Sequence, residues 1–208
     1  MSRVILCALV LMLSGCGAYT TISNVWVAPD IQQRNLQGTL VIAVTHQESV
    51  RIDFEDAYTK VLRRNGVKAI ASHTLIGGTL DQSDKQDIIA AARQAGLDTL
   101  LVSHYAGTEE EPVFHPGQRY YTVVPEYGPY YHDRGFDGHY GRLIELGSTP
   151  DVWTTNRYVF IVSDLYQTDN GDHLWQATSE TISPRNKKAL RNASIKAFIK
   201  QMKSQGLL

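Results

Sequence analysis

The run Thr39-Leu40-Val41-Ile42-Ala43-Val44-Thr45, the helical stretch from Glu48 to Asn65 and the Gly66 that follows it together decide the fold. The first run is almost continuously apolar or β-branched, the pattern of a strand buried on both faces. From Glu48 the period becomes helical. Val50, Phe54, Ala57, Tyr58, Val61 and Leu62 fall on one face, with Arg51, Asp53, Glu55, Asp56, Lys60 and Arg63 on the other. Read this way, Asp53, Glu55 and Asp56 form a solvated face rather than an acid–base cluster. Gly66 stands where a left-handed helix cap is required.

Outward from this unit the alternation continues. Val67 to Ser72 predicts a second strand. Ser83 or Asp84 can cap a second helix that runs through Ala95, with Ile88, Ala91, Ala92 and Ala95 as its apolar stripe and Gly96 as its stop. Asp98 to Tyr105 predicts a third strand. Strand, helix, strand, helix, strand at these spacings argues for βαβ crossovers and a partly parallel sheet.

Beyond residue 151 the pattern is a hairpin. Asn156 to Gln167 and His173 to Ile182 are strands, joined by a turn centred on Asn170-Gly171. Ser183-Pro184 starts a last helix with proline at its first position. Its apolar stripe is Leu190, Ala193, Ala197, Phe198 and Met202. The expected architecture is a single α/β sandwich with a mixed sheet, in the order βαβα-βββ-α. The predicted boundaries are residues 39–208 for the α/β domain and residues 16–38 for a tether with a short strand at Val25–Ala28.

Residues 106–151 interrupt the domain. They hold five of the seven prolines and seven of the sixteen glycines, too dense for a helix or a long central strand, and are expected to be an irregular insertion, either a recognition surface or a plain Gly/Tyr loop with a short hairpin at Tyr120–Val124. Tyr120, Tyr121, Tyr127, Tyr130, Tyr131 and Tyr140 lie here, beside Phe114 and Phe136. Tyrosine offers a large contact area and a polar tip at little entropic cost, so these six are the candidate partner-binding residues. His115, His132, Asp133, Asp137 and His139 are suitable zinc ligands by type, but their spacing matches no zinc motif. No metal, cofactor or catalytic residue is assigned. The chain lacks a Gly-x-Ser-x-Gly elbow, a phosphate-binding glycine loop and His-Glu-x-x-His. His46, His73, His104 and His173 are scattered and read as structural.

The first sixteen residues address location. Met1-Ser2-Arg3 carries one positive charge, Val4 to Leu13 is an apolar run too short to span a bilayer, and Leu13-Ser14-Gly15-Cys16 follows. This ending resembles the lipobox of bacterial lipoproteins. The resemblance implies a signal peptide over residues 1–15, cleavage before Cys16 and acyl chains on Cys16 as the membrane anchor. Gly17, where the sorting rule of Gram-negative lipoproteins would place Asp for retention, implies the outer membrane. On that reading Cys7 is lost and Cys16 blocked, so the mature chain has no free thiol.

The formal net charge is −1, so the overall balance does not call for nucleic acid. The distribution is uneven, however. Residues 106–151 carry eight acidic and three basic side chains, whereas seven basic and no acidic ones follow Pro184. A basic last helix of this kind can lie on anionic headgroups or present an ordinary charged exterior.

Arg51-x-x-Phe54-Glu55-x-Ala57, Leu62-x-x-x-Gly66 and Ala92-x-x-x-Gly96-x-Asp98-x-Leu100-Leu101-Val102 resemble a family of uncharacterised proteobacterial lipoproteins. With Asp172-x-Leu174-Trp175-x-Ala177, they are more distantly similar to the α/β domain of the TolB N-terminal region, the curli secretion lipoprotein and the lipoprotein activators of penicillin-binding proteins. The resemblance implies a non-enzymatic accessory or assembly protein of the outer membrane that faces the periplasm and binds another envelope component. A structural subunit of a secretion or surface assembly, which self-associates, is the alternative. An envelope hydrolase using the His and Asp residues of 106–151 is the third reading.

Overall fold

The computed structural model describes residues 19–31, 37–77, 85–124 and 142–208. The elements follow in the order β1 (Tyr19–Val27), β2 (Gly38–Val44), α1 (Glu48–Arg64), β3 (Lys68–Ala71), α2 (Lys85–Gln94) and β4 (Thr99–His115). After these come β5 (Arg119–Val124), β6 (Arg142–Ser148), β7 (Val152–Gln167), β8 (His173–Ile182) and α3 (Lys187–Ser204). The chain divides into two compact units. Unit 1 is Met1–Glu109 with Arg157–Leu208, and unit 2 is Glu110–Asn156.

Unit 1 is an α/β fold built on a mixed six-stranded sheet, ordered β1-β8-β7-β4-β2-β3. β2 pairs in parallel with β3 and with β4, so Leu40 faces Ile70 on one side and Leu100 on the other. β8 pairs antiparallel with β7 and with β1. Two crossovers through α1 and α2 therefore surround β2, as the alternation of strand and helix predicts.

The double burial of β2 follows from its composition. Leu40 and Ile42 pack with Ala92 and Leu97 on the α2 side. Val41 and Ala43, pointing the other way, join Phe54, Tyr58 and Leu62 of α1 and Ile195, Phe198 and Met202 of α3. Burying each of the larger side chains contributes about 1.5–3 kcal/mol. Trp175 of β8 closes this larger cluster. Its ring meets Phe198 edge-on at 6.2 Å, and its Nε1 donates to Gln205 Oε1 at the end of α3, 2.7 Å away. The buried indole thus keeps its one polar atom satisfied.

Gly66 and Gly96 have positive φ, +86° and +64°. After each, the next amide reaches back across the helix end: Val67 N donates to Leu62 O and Leu97 N to Ala92 O. These are the left-handed caps that the sequence predicts. Asp98 then fixes the start of β2, its two carboxylate oxygens accepting from Gln37 N and Gly38 N at 2.8 Å each.

Several boundaries differ from expectation. β1 begins at Tyr19, well before the short strand expected at Val25, so Tyr19–Asn24 of the presumed tether is strand. Its Thr20-Thr21-Ile22 alternation is carried by pairing with β8 rather than by hydrophobicity. Helix α3 begins at Lys187, not at Pro184. Asn186 is its cap, with Oδ1 accepting from Ala189 N at 2.8 Å. The buried face of α3 is rotated from the expected stripe and runs through Ser194, Ile195, Phe198, Ile199 and Met202. The cap expected at Ser83 or Asp84 lies outside the described residues.

Residues 106–151 are also more regular than expected. β4 continues to His115, and β5 pairs antiparallel with β6. The short strand expected at Tyr120–Val124 is β5, whereas averaging proline and glycine over the whole stretch hides its partner run, Arg142–Ser148.

Candidate interaction surface

Among its described residues, unit 2 is a ribbon with no buried side chain. Every residue of Glu110–Asn156 whose burial is described is exposed or half-buried. Its two-stranded sheet is β5-β6, and an isolated hairpin of this kind is marginal in water. The turn from β4 into β5 is nonetheless tightly built. Gly117 N donates to Asp151 Oδ1 at 2.7 Å and Gln118 N to Thr149 Oγ1 at 2.8 Å. A Cβ on Gly117 would collide with Thr149 O, so only glycine permits this approach.

The ribbon exposes large apolar side chains. Tyr120 and Tyr121 are each 52% exposed, Leu146 is 69% and Trp153 is 67% exposed. Successive strand residues point to opposite faces, so Tyr120 and Tyr121 place one ring on each. Leu146 is the extra residue of a bulge: Tyr120 faces Gly147 and Tyr121 faces Glu145, which leaves Leu146 unopposed. Phe114 and Trp153 contact each other with ring centroids 4.8 Å apart. Of the six tyrosines assigned from sequence, Tyr120 and Tyr121 are therefore solvent-facing on β5. Tyr127, Tyr130, Tyr131 and Tyr140 lie outside the described residues, as does Cys16. Trp153, Leu146 and Val152 are surface residues that a count of tyrosines does not find.

The histidines divide in the same way. His115 Nε2 lies 2.9 Å from Thr154 Oγ1, while His132, Asp133, Asp137 and His139 lie outside the described residues. Among the described residues no group of three or more His, Cys, Asp or Glu side chains is placed to hold a metal ion.

Unit 1 holds two polar clusters of histidine and carboxylate. In the first, Glu55 and Arg51 are buried, although helical periodicity placed both on the solvated face. Glu55 Oε1 accepts from Ala43 N at 3.0 Å, Arg51 Nε at 3.1 Å and Ser72 Oγ at 2.7 Å. Its Oε2 accepts from His73 N at 2.9 Å and lies 2.9 Å from His73 Nδ1. One carboxylate thus joins β2, α1 and the turn Ser72–Thr74, at the carboxyl ends of two parallel strands. All its lone pairs are used within the fold, which makes it a structural tie rather than a free base.

The second cluster lies at the β7–β8 hairpin. Asp164, nearly buried, is 3.1 Å from His173 Nε2 and accepts from Gln176 Nε2 at 2.7 Å. The His173 ring is stacked on Trp26 at 4.6 Å and on Tyr166 at 4.9 Å. Partial burial, and secondarily the Asp164 carboxylate, raises the Tyr166 phenol above its ordinary value. His73 and His173 therefore both have defined partners within the fold.

No protein-family model matches the chain, and no curated protein matches it in sequence. Among solved structures the chain is similar to the PelC dodecamer from Paraburkholderia phytofirmans, at 13% identity and a TM-score of 0.43, covering 87% of this chain and 94% of that one. A PelC variant in a second crystal form gives 12% identity and a TM-score of 0.42, covering 86% of this chain and 96% of that one. The chain is also similar to a PDZ domain protein from Parabacteroides distasonis, at 10% identity and a TM-score of 0.29, covering 84% of this chain and 34% of the other. Likenesses this distant transfer no function to this chain.

Proposed function

We propose that this protein is a lipid-anchored, non-enzymatic accessory or assembly factor of the outer membrane, facing the periplasm, which uses unit 2 to bind another envelope component. The observation that carries the reading is a ribbon with exposed Tyr120, Tyr121, Leu146 and Trp153 and no buried residue among those described. Exposed apolar side chains on such a ribbon gain most when a partner covers them. Cys16 carries the anchor. Two or more acyl chains hold a domain durably, and among the described residues no helix is long and apolar enough to cross a membrane.

The test compares the lipidated chain with a Tyr120→Ser/Tyr121→Ser/Leu146→Ser/Trp153→Ser variant in affinity capture from envelopes. A specific envelope protein retained by the first and lost from the second supports the reading. Identical capture by both removes unit 2 as the contact surface. Intact mass of the purified chain tests the anchor separately, because acylation adds the mass of the fatty chains and Cys16→Ser abolishes it.

A second reading, a self-associating structural subunit, is favoured by the open edges of the sheet. β1 and β3 end the strand order, and an edge strand can pair with another copy. Native mass spectrometry of the purified chain separates the two, since a subunit of an assembly is oligomeric without any partner.

A further inference from the structure

A long open groove of about 930 Å³ runs along β1 and α3. Tyr19, Thr20 and Ile22 line it from β1, and Arg185, Lys196 and Lys200 from the last helix and its approach. Among the described residues, no carboxylate lines it. The basic residues after Pro184 are sorted between two sides. Lys187 Nζ donates to Gln47 Oε1 and Arg191 Nη1 to Asp53 Oδ2, both on the α1 side. Arg185, Lys196 and Lys200 are exposed and make no salt bridge among the described residues. The groove is therefore a cationic surface without internal compensation.

Its position along the chain identifies what it meets. Cys16 precedes Tyr19 by three residues, a span of at most about 11 Å when fully extended. The polar layer of one leaflet is about 5–8 Å deep. Acyl chains on Cys16 would therefore hold the start of β1 at headgroup level. Tyr19 is 67% exposed there, an amphipathic ring suited to the interface. Arg185 stands at the same end, three residues beyond Ile182, the register partner of Tyr19. Lys196 and Lys200 continue the positive charge along the same groove.

We propose that this groove is the membrane-facing surface of unit 1 and seats anionic, phosphate-bearing lipid headgroups of the leaflet that holds the anchor. The inference rests on the Cys16 anchor and adds a defined orientation to it: the acyl chains supply the attachment, and Arg185, Lys196 and Lys200 set which face lies down. Electrostatic attraction of this kind is worth roughly fivefold in partitioning per basic residue near an anionic surface, and salt screens it.

The test uses the full chain, acylated and reconstituted into vesicles, with a fluorophore on Asn192→Cys in the groove or on Gln94→Cys, exposed on α2. In vesicles of phosphatidylethanolamine and phosphatidylglycerol, a headgroup-attached quencher is expected to act several-fold more strongly at position 192 than at 94. High salt, phosphatidylcholine vesicles or the R185E/K196E/K200E triple variant should each erase the difference, with the melting temperature of the variant unchanged. Equal quenching at both positions in a chain whose mass proves it acylated overturns the orientation while leaving the anchor intact. If the mass shows no acyl chains, the anchor reading fails instead. The groove is then judged by direct sedimentation with the same vesicles: salt-sensitive binding lost at least tenfold in the triple variant supports it, and no such binding overturns it.

Discussion

Arg51 Nε lies 3.1 Å from Glu55 Oε1, one helical turn away, with both side chains shut off from solvent. The pair endures because Glu55 has further donors in Ala43 N, Ser72 Oγ and His73 N. Removing one partner leaves the other buried and uncompensated, at a cost of about 3–5 kcal/mol. Glu55→Ala is therefore expected to lose most of the stability of unit 1 in urea unfolding. Arg51→Met/Glu55→Leu should cost clearly less than the sum of its single changes, without full recovery, because the Ala43 and His73 amides lose their acceptor. A loss below about 1 kcal/mol for Glu55→Ala, within the range of an exposed pair, would remove this network as a tie between strand and helix.

Asn186 holds the start of α3 through Ala189 N. Asn186→Ala is expected to cost about 1 kcal/mol and Asn186→Ser much less, since a serine hydroxyl can accept the same hydrogen bond. Thermal unfolding of the three chains checks the order.

Alkaline pH should weaken unit 1 through Tyr58. Burial raises its phenol well above the ordinary value of 10.0, and the hydroxyl makes no well-formed hydrogen bond; the Ser163 hydroxyl beside it, engaged with Ser103 Oγ at 2.9 Å, offsets only part of that shift. The folded state thus keeps a proton that the unfolded chain releases first. Stability from this group is fully present below the unfolded value and falls as pH rises above it, by up to about 1.4 kcal/mol per pH unit. Tyr58→Phe should flatten the alkaline limb of stability against pH. An unchanged limb would show that other groups govern it.

Leu146→Ser and Trp153→Ser change side chains that are mostly in water, so each is expected to move the stability of unit 1 by no more than about 0.5 kcal/mol. Gly117→Ala is different. The clash with Thr149 O must open the turn, and the amide protons of Gly117 and Gln118 should lose protection in hydrogen exchange while those of Leu40 and Val41 keep theirs.

The α/β frame was legible in the residues because its signals are local. β2 is apolar on both faces, and Gly66 and Gly96 stop their helices at left-handed positions. What escaped depends on the third dimension. Periodicity assigns Arg51 and Glu55 to water because a charge pattern carries no record of Ser72 and His73, which arrive from another element to satisfy them. The true stripe of α3 was missed because Ile195 and Ile199 lie among lysines, and its face is chosen by Trp175 and Tyr58 rather than by α3 itself. Tyr19–Asn24 looks like tether because its strand character comes from β8. The interaction surface was legible as tyrosine content, whereas Leu146 and Trp153 became visible only through the bulge and the exposed start of β7.

Among the described strands β1 has one neighbour in the sheet, and the chain reaches β1 at Tyr19. Any tension applied through the preceding residues therefore enters the fold at its edge. Directed along the strand, it is borne in shear by the whole ladder from Tyr19–Ile182 to Val27–Trp175 at once; directed outward, it peels the ladder one pair at a time, beginning at Tyr19. Past Val27 the peel would meet Ala28 N bonded to Leu174 O and the buried side chain of Ile31, a built-in arrest before the core opens. Pulling single molecules from Cys16 should accordingly give a low-force step for β1 when the load is normal to the strand and a single, higher-force event when it is parallel.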